Sequence, residues 1–319
     1  VDWSVPAANR PIKTSATNVT VFSNDVVGIN INNLGTQNVS NLSAIKNSLG
    51  VVLNPGTEGG QTFNKFKELA IDDGVINFDV ATDKNESDAT HGGFFFKKVL
   101  GQRLKLNVNE NLTARLSSAT ANEFYNEQVV GLEANSSDKA TTNTETQVNI
   151  ASGKIVDVAR TDGTDKGGVG VFINYGEANI DNGATINVEK SGINAANKAG
   201  VGVFSVNGSK VDNKGTINVG GESSIGILGL SYRTDDKGTL KRNEFGAKPN
   251  AGDVVVVNNG KINLDGQKAV GIYIENNDSN KTAAHTIEAT NEVNGVITMS
   301  GKKGIGMASK LGNLVNKGK

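Results

Sequence analysis

At its most regular stretch the chain reads Val201-Gly-Val-Phe-Ser-Val-Asn-Gly-Ser-Lys-Val-Asp-Asn-Lys-Gly-Thr-Ile-Asn-Val219. Three short aliphatic segments lie within these 19 residues, and Asn or Gly separates each segment from the next. Asn and Gly favour tight turns because they adopt backbone conformations that other residues avoid. Apolar and polar residues alternate in the segments, as in strands with one face turned inward. The stretch therefore predicts three short strands joined by tight turns.

The three segments form a repeat that extends along the chain. A motif of Gly, a spacer of one or two residues, Ile, a polar residue and an aliphatic residue occurs at 183–188, 215–219, 260–264 and 295–299, with an early copy at 74–78 that ends in Phe and a weaker one at 153–155. A Val/Ile-Gly-aliphatic motif occurs at 169–172, 201–204, 225–228, 270–273 and 305–308, with earlier members at 27–29 and 130–132. An aliphatic residue followed by Asp or Asn closes the units at 71–74, 180–183, 211–215, 257–260 and 315–318. Successive Ile residues of the first motif, from Ile155 to Ile297, lie 31, 31, 45 and 35 residues apart, so the strands are constant and the connections vary.

Constant strands with connections of variable length are typical of a solenoid. We therefore predict an all-β fold, a right-handed parallel β-helix in which three sheets form a solenoid with loop insertions. The prediction covers residues 1–319, with the clearest coils at 153–317. Residues 81–128 break the rhythm, and we interpret them as an insertion extruded from the solenoid, with a possible short helix around Leu112 and Leu116. Smaller loops are expected at 231–253 and 275–293.

Composition excludes several classes of function. The chain has 39 Gly and 42 Asn, which argues against a helical bundle, and no Cys, which excludes disulfides and thiolate ligands. Only His91 and His285 are available as histidine ligands or bases, so we expect no cofactor and no metal site. The net charge is −1 with no long run of one sign, so we expect no nucleic acid partner.

Two patterns leave structural and functional interpretations open. Asp72, Asp181 and Asp212 would form a stacked column, but turn formation explains them better than catalysis on a polysaccharide. A second column contains large apolar residues, which form either an exposed sugar-stacking stripe or, as we favour, the packing of one inner corner; its members are Phe172, Phe204, Leu228, Tyr273 and Ala308. A third column of polar residues is expected to face outward and to bond along the stack; its members are Asn77, Asn187, Asn218, Asn263 and Thr298.

The strongest signal for binding is the loop that starts at Ser231. It concentrates Tyr, Arg and Phe, the residue types enriched in binding hot spots. Long loops on a rigid scaffold commonly hold binding residues, although a purely solvated loop is the competing interpretation. The candidate binding residues are Tyr232, Arg233, Lys241, Arg242 and Phe245.

The Gly-x-Ile-Asn-Val, Val-Gly-Val-Phe and Val-Asp-Asn-Lys-Gly units resemble the passenger repeats of fusobacterial type V (autotransporter) adhesins, most clearly over residues 153–317. The resemblance implies a virulence-associated passenger domain on the bacterial cell surface, held at the outer membrane by a C-terminal barrel that is not in this chain. It also implies adhesion to partner bacteria, to host immune receptors or to host glycans ending in galactose or N-acetylgalactosamine. The chain starts at Val1 without a signal peptide, so we expect a passenger fragment.

The leading hypothesis is a non-enzymatic adhesin segment. Its loops would bind a host-cell surface receptor or glycan, or a surface protein of another bacterium, and the passenger would be monomeric. A carbohydrate-active enzyme, either a polysaccharide lyase or a hydrolase, is the alternative, because parallel β-helices also carry such sites. A structural spacer that binds nothing is the third possibility.

Overall fold

A computed structural model of the protein describes the greater part of the chain. It describes residues 18–21, 28–32, 35–38, 57–58, 61–62, 68–71, 74–86, 91–98, 104–116, 128–136, 146–160, 166–189, 199–232, 252–277 and 285–319. These residues form strands and turns. No helix among them is long and apolar enough to span a membrane.

The described residues form 28 strands. The first nine are β1 (Asn18–Val21), β2 (Gly28–Asn32), β3 (Gly35–Asn38), β4 (Thr57–Glu58), β5 (Gln61–Thr62), β6 (Glu68–Ile71), β7 (Gly74–Phe78), β8 (Thr82–Glu86) and β9 (His91–Lys98). The next nine are β10 (Leu104–Val108), β11 (Leu112–Leu116), β12 (Gln128–Ser136), β13 (Thr146–Ile150), β14 (Ile155–Arg160), β15 (Lys166–Asn174), β16 (Glu177–Ile180), β17 (Thr185–Val188) and β18 (Ala199–Val206). The last ten are β19 (Ser209–Asn213), β20 (Thr216–Val219), β21 (Ile225–Tyr232), β22 (Val254–Asn258), β23 (Lys261–Leu264), β24 (Val270–Asn277), β25 (Ile287–Asn291), β26 (Val296–Met299), β27 (Ile305–Lys310) and β28 (Asn313–Asn316).

Three long sheets are built by stacking one strand from each coil. The first sheet has the order β1-β2-β6-β9-β12-β15-β18-β21-β24-β27, the second β3-β7-β10-β13-β16-β19-β22-β25-β28, and the third β8-β11-β14-β17-β20-β23-β26. Strands of successive coils pair in parallel, as β17, β20 and β23 do. Only β1 on β2 and the small β4–β5 hairpin are antiparallel among the described strands. The predicted right-handed parallel β-helix is confirmed.

An aliphatic core fills the space between the three sheets. Apolar residues at alternate positions point inward, as Leu104, Leu106 and Val108 do in β10, and each of these is 0% exposed. Equivalent residues of successive coils lie over one another, so that Ile186, Ile217 and Ile262 form one buried column. Each strand therefore buries only two or three side chains, and the core is stable because many coils are stacked.

Glycine gives the first sheet its shape. Each first-sheet strand from β12 onward contains one Gly that has no paired residue in the neighbouring strands. Gly170 is an example, because Val169 and Val171 on either side of it are paired and Gly170 is not. A Cβ on Gly131 would lie 2.5 Å from the carbonyl oxygen of Gly170, and the next glycines of this column meet the same obstacle. From Gly131 to Gly271 the column admits only glycine, which explains the Val-Gly-Val motif. Gly170 and Val171 both face the core, so the next residue, Phe172, points outward.

The predicted insertion at 81–128 is wrong where the structure describes it. β8, β9, β10 and β11 occupy the third, first, second and third sheets in normal order, so this part of the chain forms regular coils. The expected helix around Leu112 and Leu116 is the strand β11, in which Leu112, Ala114 and Leu116 are buried. A spacing of four residues fits both a helix and a strand, and the intervening Ala114 satisfies the strand period of two.

Asn side chains form three hydrogen-bonded ladders between coils. On the outside of the second sheet Asn179, Asn149, Asn107 and Asn77 each donate to the amide of the preceding coil, at 2.8–2.9 Å. On the third sheet Asn263, Asn218 and Asn187 do the same, and the last of these donates to Asp157. Asn77 thus belongs to a different column from the one we predicted, because the motif at 74–78 forms a second-sheet strand. The third ladder donates in the opposite direction and is buried except at its last, exposed member; its members are Asn213, Asn258, Asn291 and Asn316.

Candidate functional site

The outer face of the first sheet is apolar, unlike the outer faces of the other two sheets. Two columns of side chains define it, and we refer to them together as the outer apolar face. The first column consists of the residues that precede the glycines, namely Val130, Val169, Val201, Ile225, Val270 and Ile305. The second column consists of Phe172, Phe204, Leu228, Tyr273 and Ala308. At comparable positions the second and third sheets present the Asn ladders instead.

The aromatic column does not pack in the inner core as we favoured. Phe172 belongs to a second, smaller hydrophobic cluster that is separate from the core, together with Val130, Val169 and Val206. The ring of Phe204 meets that of Phe172 edge-on at a centroid distance of 5.3 Å. The physical reason is the glycine of each strand, which places two successive residues inward and so shifts the next residue to the outside.

Exposure of the outer apolar face increases along the rod. In its first column Val130 is 1% exposed, Val169 is 6% exposed, and Ile305 in the last coil is 50% exposed. In the second column Phe172 is 4% exposed, whereas Phe204, Leu228 and Tyr273 are half-buried. The face is therefore covered at its N-terminal end and open over its C-terminal coils.

Polar groups border the open part of this face. The hydroxyl of Tyr273 donates to Glu275 Oε2 at 2.9 Å, and Lys310 Nζ donates to Glu275 Oε1 at 2.7 Å. Burial, followed by the hydrogen bond to Glu275, raises the pKa of the Tyr273 phenol above its usual value. Each carboxylate oxygen of Glu275 therefore accepts a hydrogen bond, one from Tyr273 and one from Lys310. These three side chains are linked to one another at the border of the face.

Connections of variable length adjoin only the first sheet. From β7 onward, the connections from the second to the third sheet are all two to four residues long. Those that enter or leave the first sheet range from two residues to the 21 that separate Tyr232 from Val254. Because loops that vary between repeats commonly contribute to binding surfaces, this arrangement also directs attention to the first sheet.

The residues that we predicted for binding fall in the longest of these connections. Tyr232 ends β21, where its backbone pairs with Asn277 in β24, and its side chain is not described. Arg233, Lys241, Arg242 and Phe245 lie outside the described residues. The binding prediction for these five residues therefore stays a prediction.

The acidic residues do not form the expected column. Asp181 is exposed in the turn after β16, whereas Asp212 lies within β19, in register with Asn179, and pairs with Lys214 at 2.9 Å. The pair raises the pKa of Lys214, mainly through its hydrogen bond to Asp212. Asp72 lies outside the described residues. Turn residues and strand residues point in different directions, so Asp181 and Asp212 do not stack.

The two histidines and the metal-ligating side chains occupy separate places. His285 Nδ1 lies 3.8 Å from Asp253 Oδ1. His91 begins β9, but its side chain is not described. Among the described residues no three His, Asp or Glu side chains come together as a metal site.

A shallow groove lies on the outer face of the third sheet near its C-terminal edge; Val219 and Leu264 line it together with polar side chains, and more of its lining is apolar than polar. Its polar lining consists of Asn218, Asn263, Asp265, Thr298 and Ser300. The two Asn residues belong to the outer ladder, in which Asn263 donates to Asn218 at 2.9 Å. Amides, hydroxyls and a carboxylate give this groove the donors and acceptors that a polyhydroxylated ligand requires.

Sequence reasoning considered an exposed stripe for the Phe172 column but favoured inner packing, and it did not recognise the first column of the outer apolar face, although a signal was present. Residues 169–173 form an unbroken run of apolar residues and glycine, whereas most strands of the other two sheets alternate, β22 with its four valines being an exception. Unbroken runs are typical of strands that are covered on both faces. Comparison of the chain with protein-family models, with curated proteins and with solved structures finds no match.

Proposed function

We propose that this chain is a segment of a bacterial cell-surface adhesin that binds its receptor through the outer apolar face. The observation that carries the proposal is the open part of that face, where Val201, Phe204, Leu228 and Val270 are half-buried on a regular sheet. Large apolar patches on the surface of a protein mark interaction sites. The chain is non-enzymatic in this proposal, and it is extracellular and attached to the outer membrane of the bacterium.

The rigidity of the scaffold supports a binding role. Backbone pairing joins every first-sheet strand from β9 to β24 to a neighbour on each side, and the Asn ladders connect the coils on the other two sheets. A surface that is ordered before binding loses little conformational entropy when a partner docks. Side chains such as Phe204 and Leu228 are thus fixed in position by the fold.

The chemistry of the face favours a protein receptor. Its side chains from Val201 to Val270 are aliphatic or aromatic, and the bordering Glu275 already accepts hydrogen bonds from Tyr273 and Lys310. An apolar surface of this kind is complementary to aliphatic and aromatic side chains of another protein. The receptor is a surface protein of a host cell or of another bacterium.

A glycan is the second candidate receptor, and a different observation favours it. The groove on the third sheet presents Asn218, Asn263 and Asp265, which have the hydrogen-bonding groups that sugar hydroxyls need. The two candidates use different faces of the rod, so variants of one face leave the other intact.

Binding of the labelled chain to human cells and to partner bacteria tests the proposal. Saturable binding that free galactose and N-acetylgalactosamine leave unchanged supports a protein receptor. Saturable binding that either sugar abolishes supports the glycan candidate. If no cell type binds the chain saturably, the adhesin proposal fails and the spacer interpretation replaces it.

A further inference from the structure

Four Asn-Gly pairs occur in the sequence, and the structure describes all of them. In such a pair the glycine nitrogen can attack the side-chain amide of the asparagine, because glycine has no Cβ that obstructs the approach. Asparagine is accordingly one of the thermolabile residues of proteins. The surroundings of each pair decide whether the reaction can occur in the folded chain. The four pairs are Asn182-Gly183, Asn207-Gly208, Asn259-Gly260 and Asn294-Gly295.

The first pair lies in an exposed turn between β16 and β17. Asn182 and Gly183 occupy its two central positions and are both exposed, and Ala184 N closes the turn by donating to Asp181 O at 2.9 Å. The φ angle of Gly183 is 85°, which glycine adopts without strain. No acceptor in the described part of the chain receives a hydrogen bond from Gly183 N. This nitrogen can therefore react without first losing a hydrogen bond.

The space around Gly183 is open as well. A Cβ on this residue would come no closer than 3.1 Å to Ser152 Oγ and 3.5 Å to Gly153 N. Both of these residues belong to the corresponding turn of the preceding coil, and both are exposed. The backbone of Gly183 thus has room to turn toward the side chain of Asn182, and water reaches the two residues.

The pair Asn294-Gly295 occupies a similar turn, but its nucleophile is engaged. Asn294 is exposed, whereas Gly295 is buried and its nitrogen donates to Glu292 O at 2.8 Å. Attack by this nitrogen requires the turn to open first, and local opening of a paired coil costs free energy. This pair is therefore the natural comparison for Asn182-Gly183.

Packing protects the other two pairs. Gly260 is buried, and a Cβ on it would lie 2.1 Å from Gly215 O, so its backbone has no room to turn. Asn207 is 0% exposed, and its backbone nitrogen donates to Leu230 O at 3.0 Å. Both pairs must leave their coil before they can react.

We infer that Asn182 is a site of spontaneous modification through a succinimide. The Gly183 nitrogen attacks Asn182 Cγ, the bond between Cγ and the amide nitrogen breaks, and ammonia leaves with the proton of the Gly183 nitrogen. Water then adds to either ring carbonyl and gives aspartate or isoaspartate. The product adds a negative charge beside Asp181, and isoaspartate also lengthens the main chain of the turn. The site lies between the second and third sheets, so the inference is independent of the proposed receptor contact.

Incubation of the full chain in mildly alkaline buffer, with and without urea, tests the inference. Alkaline buffer speeds the reaction because the glycine nitrogen must lose its proton. Peptide mass spectrometry follows each asparagine, and water enriched in heavy oxygen marks the succinimides that hydrolyse before digestion. In the folded chain we expect Asn182 to convert at least about tenfold faster than Asn207, Asn259 and Asn294, which require local opening. In urea the four rates should become similar.

Two glutamine variants serve as matched controls. Asn182→Gln keeps the amide but requires a larger ring that forms far more slowly, so the isoaspartate of the folded chain, measured with an isoaspartyl methyltransferase, should disappear. Asn294→Gln should leave that signal unchanged, and circular dichroism verifies that both variants are folded. The inference fails if Asn182 stays intact in the folded chain over the time in which it converts in urea. It also fails if any of the other three asparagines converts as fast as Asn182 in the folded chain.

Discussion

The ring of Phe204 packs edge-on against the ring of Phe172, one coil earlier, with ring centroids 5.3 Å apart and the ring planes at 89°. This contact lies on the outer face of the first sheet and belongs to a hydrophobic cluster separate from the core. Such pairs stabilise by about 0.5–1.5 kcal/mol beyond the burial of their area. The protein thus holds large apolar side chains in order on its surface, which is the basis of the proposed receptor contact.

Because of the glycine column of the first sheet, we expect a single added methyl group to destabilise the fold at some glycines of the column and not at others. A Cβ at residue 202 would lie 2.5 Å from the carbonyl oxygen of Gly226 and would also meet Ile217. We expect Gly202→Ala to reduce the free energy of unfolding by about 1–3 kcal/mol, as overpacking in a rigid core does. Gly306→Ala is the matched control, because no atom lies within 4 Å of a Cβ there. Equal stability of the two variants in urea unfolding would contradict the account of the column.

The buried Asn ladder predicts that an interior amide is essential. Asn258 is 0% exposed, accepts from Asn213 at 2.7 Å and donates to Asn291 at 2.7 Å. Asn258→Ala removes the acceptor of Asn213 Nδ2 and the donor to Asn291 Oδ1, and each unsatisfied buried group costs about 1–3 kcal/mol. The same change at Asn263, which is partly exposed to water in the outer ladder, should cost less than about 1 kcal/mol. Chemical unfolding followed by circular dichroism measures the difference.

The ladder on the second sheet ends at an aspartate, and this predicts a stabilising substitution. Asp212 follows Asn179 in register, and its Oδ1 atom is buried without a hydrogen bond. Asn in its place gains an amide that can donate to Asn179, as the preceding rungs do. Asp212→Asn should therefore raise the free energy of unfolding by about 1 kcal/mol, since the half-exposed pair with Lys214 contributes little. A decrease in stability would contradict this account, and Asp181→Asn, in an exposed turn, serves as the control.

The border of the outer apolar face predicts a late-titrating tyrosine. Burial and Glu275 raise the pKa of Tyr273, so its phenol stays neutral above the pH at which an ordinary tyrosine ionises. A raised pKa in the folded state means that its contribution to stability is complete below pH 10 and is lost as the pH rises above that value. Ultraviolet titration of the four tyrosines should lose a step above pH 10 in Tyr273→Phe. Glu275→Gln should move that step to lower pH, and an unchanged titration in both variants would contradict the assignment.

The repeated motifs were sufficient to predict the architecture. The Ile-Asn-Val segments around Ile186 and Ile217 each place two aliphatic residues inward, and the recurring Asn-Gly turns leave a stacked three-sheet solenoid as the simplest arrangement. Where the motif degenerates, prediction failed. The alternation at Leu104–Val108 and at Leu112–Leu116 was strand-like, but the missing Gly-x-Ile signature hid two regular coils.

The outer apolar face was harder to predict because the face of the sheet on which a side chain lies depends on the backbone conformation of its strand. Phe172 lies two residues after Gly170, and only the structure shows that Gly170 and Val171 both face the core and leave the ring of Phe172 outside. Simple alternation from Val171 does predict that Phe172 and Val171 face opposite ways, but not which of them is inside. The loop with Arg233 and Phe245 attracted attention through composition alone, and composition does not define a contact.

The most direct test of the central claim is receptor binding by a variant of the outer apolar face. Leu228→Lys adds a charge to the open part of the face, and Thr216→Lys adds the same charge on the outer, half-buried surface of the third sheet. Burying an unpaired charge in an apolar contact is strongly unfavourable. We expect Leu228→Lys to weaken saturable binding to receptor-bearing cells at least about tenfold, with Thr216→Lys and the unmodified chain binding alike. Undiminished binding by folded Leu228→Lys would contradict the claim that this face contacts the receptor.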